Sequence, residues 1–237
     1  VFAALPPVMT NDDAKGSKAA WLRGVQTALE ALTRLEEAGS LDTDEERVAH
    51  LRWAGEALLS VGDVESALPA LTQVLEIDEN DALARCLLAD GNVMMGRFIE
   101  AHALLDEAIS SSRRTAPDLH LYLHHKAHVH HAEGDADGQL EALKKAHQAS
   151  RKNGQIAAEL ADLAEALQQW DLASATLRAI TTIDDGCPIP PVEALVRQGR
   201  IAHHQGDTKR AQVCARRAAK IDPESEMVIA FLAELGG

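Results

Sequence analysis

Six of the chain's eleven histidines fall within twelve residues, in the stretch HLYLHHKAHVHHAEG: His120, His124, His125, His128, His130 and His131. Imidazole changes charge near neutral pH, and the neutral ring is a nitrogen ligand for transition metals. Spacing decides which of these uses is within reach. His120, His124 and His128 are four apart, so a helix would place them on one face; His128 and His131, three apart, would also be neighbours. Such a pair can hold a transition ion, and the same crowding of rings makes a solvated strip that responds to pH. Other chemistry is poorly served. Cys86, Cys187 and Cys214 follow no metal or redox spacing, and a couple of Cys86 with His124 has no orienting third group. There is no phosphate-cradling glycine loop, dinucleotide fingerprint, zinc-protease motif or nucleophile elbow.

The elements that must position these histidines recur along the chain. A small residue stands at Gly55, Ala89, Ala127, Ala161, Gly199 and Ala233, in steps of 34, 38, 34, 38 and 34 residues. Seven residues after each of the first five comes a loop position: Gly62, Gly96, Gly134, Gln168 and Gly206. Five further on is a second small site: Ala67, Ala101, Gln139, Ala173 and Ala211. Apolar sites follow at Leu71, Leu105, Leu143, Leu177 and Ala215, and at Val74, Ala108, Ala146, Ile180 and Ala218. Small residues on facing helices let backbones approach, glycine ends a helix at positive φ, and apolar residues three and four apart line one helix face. The spacing predicts helix pairs at 44–61 and 64–77, 81–95 and 98–112, 117–133 and 136–152, 154–168 and 171–183, and 190–205 and 208–221. A capping box, Thr43-Asp-Glu-Glu46, opens the first of these.

With VGDVESALPALTQVLEIDEN closing residues 48–81 and GDTKRAQVCARRAAKIDPES closing 192–225, the pattern resembles the tetratricopeptide repeat. The resemblance covers five copies, at 48–81, 82–115, 120–153, 154–187 and 192–225, or about four fifths of the chain. It implies an all-α, right-handed helical-repeat solenoid (an α–α superhelix) of twelve helices. Residues 1–11 are expected as an extended lead-in. Residues 12–38 form an N-terminal helix whose Ala28, Leu32 and Leu35 reproduce a repeat's second helix, and 226–237 a C-terminal half repeat or cap. Departures are mild: Gln168 for the turn glycine, Gln139 for a small residue, and four extra residues near Ser112–Pro117 and in the loop Asp185–Pro191.

The resemblance also implies that the first helix of each pair lines a concave groove. Carried onto this register, the inward positions are Arg52, Glu56, Leu59 and Ser60; Cys86, Asp90, Val93 and Met94; His124, His128, His131 and Ala132; Ala158, Asp162, Glu165 and Ala166; and Val196, Arg200, His203 and His204. His124, His128 and His131 are then expected near Asp162, which would make His124, His128 and Asp162 the ligand set of any metal site. The Lys-plus-Asn set with which resembling cochaperones clamp a C-terminal carboxylate is missing; Arg52 and Arg200 alone could act in that way.

Composition narrows the partner. Apolar residues are 46% and aromatics 3%, which suits an Ala- and Leu-rich helical array. The net charge of −14 disfavours nucleic acid and anionic membrane surfaces, and leaves a basic or apolar protein or peptide as the expected partner. No apolar run reaches membrane-spanning length, so no membrane insertion is expected. Three cysteines without a framework suggest a reducing, cytoplasmic setting; Val1 in place of Met fits a processed or excised segment, which keeps a periplasmic setting open. The function expected is a noncatalytic protein-interaction scaffold without cofactor, with self-association through a terminal repeat as a second mode. The alternatives are a substrate-positioning segment of a larger enzyme, as in some glycosyl- and sulfotransferases, and a histidine-based metal- or pH-sensing module.

Overall fold

In a computed structural model of the chain, residues 13–112, 116–183 and 186–236 are described. They form twelve helices and no strand: α1 (Asp13–Ala38), α2 (Asp44–Val61), α3 (Val64–Ile77), α4 (Ala82–Met94), α5 (Phe98–Ser111), α6 (Leu119–Glu133), α7 (Ala136–Ala149), α8 (Gly154–Ala166), α9 (Trp170–Ile180), α10 (Pro191–His204), α11 (Thr208–Ile221) and α12 (Glu226–Gly236). The fold is an all-α helical-repeat solenoid, and the ends of the helices expected in the five pairs move by no more than three residues. The lead-in at 1–11 and part of each four-residue insertion lie outside the described residues.

The turn inside each pair is built the same way. Gly62, Gly96, Gly134 and Gly206 take φ of 85°, 70°, 77° and 80°. Gln168 takes φ of 56° at the equivalent place and so adopts the glycine conformation with a side chain in tow. Its bonds match those of the glycine turns: Gln168 N–H donates to Glu165 O and Gln169 N–H to Ala164 O, as Gly62 does to Leu59 and Asp63 to Leu58. The next residue then caps the second helix where it can. Asp63, Asp135 and Asp207 accept from Ser66, Gly138 and Arg210, whereas Gln169 makes no side-chain cap.

The registered small residues lie where helices meet. Ala67, Ala101, Ala173 and Ala211 are fully buried, and so are Leu71, Leu105, Leu143 and Leu177. A Cβ on Gly55 would sit 2.5 Å from Leu71, and one on Gly199 2.5 Å from the Phe231 ring, so these glycines are required by close approach. Two positions depart from the pattern. Gln139 is half-buried and meets His131 with its amide oxygen, and Ala233 is exposed on α12, where no later described helix covers it.

The chain divides into two compact units, Val1–Leu105 and Asp106–Gly237, with the boundary inside α5. Where repeats touch only their neighbours, a division at one junction leaves the others intact. The first unit is packed around Leu51, Leu58, Leu71, Val74 and Leu88. The second has a core around Leu143, Ile156, Leu160, Leu177 and Ile180, and another around Leu195, Ala215, Val228 and Phe231.

Candidate functional site

In the first unit, the residues nominated on α2 and α4 separate by burial. Glu56 and Met94 are exposed and Asp90 is half-buried, but Cys86 is fully buried, so it packs rather than presents itself to a ligand. Leu59 is likewise core. Arg52 is half-buried and bonded to Asp81, whose side chain is only 5% exposed. Asp81 also accepts the Ala84 N–H at 2.8 Å, so one buried carboxylate caps α4 and anchors α2 to it.

In the second unit, three side-chain junctions link the first helices of successive repeats. The first joins α6 to α8: His124 Nε2 donates to Glu159 Oε2 at 2.7 Å, and His128 Nε2 lies 3.5 Å from the same oxygen. The two rings are 4.4 Å apart, centroid to centroid. Gln155 donates to the other carboxylate oxygen, Oε1, at 2.6 Å and so fixes its orientation. Burial opposes ionisation of Glu159, but the hydrogen bonds from His124, His128 and Gln155 outweigh it and hold the carboxyl well below its usual range.

The second junction joins α8 to α10. Arg197, with its side chain 18% exposed, reaches Asp162 at 2.6 Å, Glu165 at 2.9 Å and Glu193 on its own helix at 3.4 Å. Burial disfavours the guanidinium charge, yet the bonds to Asp162 and Glu165 prevail and raise its pKa further. The third junction joins α10 to α12 through a fork of Arg200 on Glu234, at 3.1 and 2.6 Å, with both side chains nearly half exposed.

The expected grouping of His124, His128 and His131 with Asp162 is not the one formed. Glu159, two residues before the registered small residue, meets His124 and His128, while Asp162 is taken by Arg197. His131 turns to Gln139 on α7, with Nδ1 3.3 Å from the amide oxygen. His204 is exposed but sets its ring 5.2 Å from Trp170 of α9, tilted by 42°, and His203 is exposed. Ala158 and Val196 are core rather than surface. Glu159 and Arg197 lie outside the inward register positions. A search for opposite charges one repeat apart would have found them, since Glu159 follows His124 by 35 residues and Arg197 follows Asp162 by 35.

Burial pushes the Cys214 thiol up, which keeps it protonated and inert. Among the described residues, no helix is long and apolar enough to cross a membrane.

Residues 192–225, the helix pair α10–α11, match the family model described as Tetratricopeptide repeat. No curated protein matches the chain. Solved structures do. The chain is similar to BtubC (BKLC) from P. vanneervenii, with a TM-score of 0.61, 16% identity and 84% of this chain covering 90% of that one. It is similar to pilF of Pseudomonas aeruginosa, with a TM-score of 0.53, 17% identity and coverage of 92% and 99%. YrrB, described as a TPR protein with an unusual peptide-binding site, gives a TM-score of 0.50, 17% identity and coverage of 76% and 89%. At these identities the likeness is one of fold.

Proposed function

We propose that this chain, whose repeats are of the tetratricopeptide type, is a noncatalytic scaffold that holds a peptide or protein segment along its first helices. The observation that carries this reading is the set of three junctions. They run α6 to α8, α8 to α10 and α10 to α12, so the second unit has one continuous polar strip crossing successive repeats. Exposed or half-buried His124, His128, His131, Asp162, Glu165, Arg200 and His203 lie on those helices, with the ring of His204 set against Trp170. In the first unit, Arg52, Glu56, Asp90 and Met94 are the corresponding contact positions. An extended or helical segment laid along such a strip meets a charged or imidazole side chain at each repeat. YrrB, similar in fold, is described with a peptide-binding site, which supports this use of the architecture. The chain's net charge of −14 favours a basic partner. Self-association is assigned to α12, where Ile229 and Leu232 are exposed beside Ala233. We place the protein in the cytoplasm, where buried Cys86 and Cys214 stay reduced.

The test is selection of peptides from a random display library on the untagged chain, followed by calorimetry with charge-reversed variants. Reversal at Asp162 or Arg200 should weaken the selected peptide more than tenfold, while Arg178→Glu, on the exposed side of α9, stays within twofold. Equal effects at Arg178 and Asp162 would overturn the assignment of the strip.

A further inference from the structure

The geometry points to a transition-metal site formed by His124, His128 and Glu159, which takes a divalent ion of the zinc type. Three observations converge on it. First, the donors face one another. Nε2 of each histidine is directed at the same Glu159 Oε2, at 2.7 and 3.5 Å, and the three ligand atoms lie within 4.8 Å of one another. In a tetrahedral zinc site with bonds of about 2.0–2.1 Å, neighbouring ligand atoms stand roughly 3.3 Å apart. The His128 separation already matches, and the His124 separation needs to open by only a fraction of an ångström.

Second, the donor set is of the right chemical kind. Two imidazole nitrogens and one carboxylate oxygen suit zinc and its neighbours in the first transition row, and do not suit magnesium or calcium, which require oxygen cages. The two histidines are four apart on α6, so one helix face presents both without distortion, and Glu159 arrives from α8 of the next repeat. Third, the carboxylate is oriented from behind. Gln155 holds Oε1 at 2.6 Å and leaves Oε2 turned to the imidazoles, the arrangement by which an outer partner fixes a metal ligand. The side chains are sheltered but reachable, at 15%, 34% and 27% exposure for His124, His128 and Glu159.

In the metal-free protein the imidazole N–H groups point at the carboxylate. Binding replaces the hydrogen at each Nε2 with the ion: a neutral ring carries its proton on Nδ1 instead, an imidazolium gives one proton to solvent, each ring then donates the Nε2 lone pair, and no electron changes hands. Three protein ligands leave one position of a tetrahedron for water or for a donor on a bound partner. The site stands independently of the peptide-binding reading, since it needs only α6 and α8.

The test uses the untagged full chain and zinc ion alone. Titration calorimetry should show one zinc per chain. His124→Gln, His128→Gln and Glu159→Gln should each weaken binding more than tenfold. His120→Gln, one turn earlier on the same helix, and Asp171→Asn, which removes one negative charge elsewhere in the same unit, should change it by less than twofold. Far-UV circular dichroism checks that each variant keeps its helices. Cobalt added to the wild-type chain provides a readout that needs no variant, an intense visible absorption of a four-coordinate ion that zinc then displaces. The proposal is overturned if the wild type takes up no stoichiometric zinc, if cobalt shows only the weak spectrum of a six-coordinate hydrated ion, or if Glu159→Gln binds as the wild type does. It is also overturned if His120→Gln or Asp171→Asn loses as much as the three ligand variants, because the ion would then be held by the histidine strip or by net charge.

Discussion

The α6–α8 and α8–α10 junctions occupy the same place in the repeat and use opposite chemistry. In each, a residue two before the registered small residue reaches back to the preceding first helix: Glu159 to His124 and His128, and Arg197 to Asp162 and Glu165. At α8–α10 the central group is a guanidinium that keeps its charge at any pH the fold survives, surrounded by three carboxylates. At α6–α8 the central group is a carboxylate, whose own charge a proton can remove, and its partners are two imidazoles and an amide. The backbone geometry is shared, so the difference lies in the side chains. One junction is a fixed fastening; the other can be altered by protons or by an ion.

The sharpest way to break that comparison is to remove the permanent charge. Arg197→Ala leaves Asp162, Glu165 and Glu193 facing one another around a sheltered position, and is expected to destabilise the chain by about 1–3 kcal/mol. Urea denaturation should show that loss undiminished between pH 5.5 and pH 8. A loss that varied across that range would mean that this junction is not a fixed fastening.

Glu159→Gln should have a smaller effect, about 1 kcal/mol at neutral pH, and a different dependence. The folded-state pKa of Glu159 is lowered, so its contribution is complete above the unfolded carboxylate value of about 4.3 and is lost as pH falls below that toward the lower folded value. Melting temperatures of wild type and variant should therefore converge in acid, and a constant gap down to pH 2 would contradict the assigned role. The smallest effect is expected at the third junction. Arg200 and Glu234 are each nearly half exposed, so Arg200→Ala should cost less than about 1 kcal/mol despite the forked geometry, and the difference should fade in high salt.

The periodic part of the molecule was legible in the sequence because it rests on steric demands that repeat. A small residue every 34 or 38 positions, a turn residue seven later and apolar residues at helical spacing located the helices, and Gln168 kept the turn even without glycine. The junctions were less legible. They depend on where long side chains end, which sequence spacing on one helix does not specify. His124 and His128 were placed together from their spacing, but the acid that meets them is Glu159 and not Asp162, because Arg197 competes for Asp162 from the following repeat. Cys86 holds an inward register position and is nevertheless buried. The double role of Asp81 left no trace in the sequence, since an aspartate before a helix is accounted for by its cap alone.

One helix start differs in a single side-chain atom from the aspartate caps described above, with a consequence in acid. α3, α4, α7 and α11 each begin on an aspartate, while α8 begins on Asn153, whose amide oxygen accepts the Ile156 N–H at 3.1 Å. A carboxylate that takes up a proton becomes a poorer acceptor; an amide has no proton to gain. The hydrogen bond from the Gly138 N–H holds the Asp135 carboxyl of α7 below its usual range, whereas the Asn153 amide of α8 has nothing to titrate. The helix that carries Glu159 is therefore held at its first turn by a cap that acid leaves unchanged.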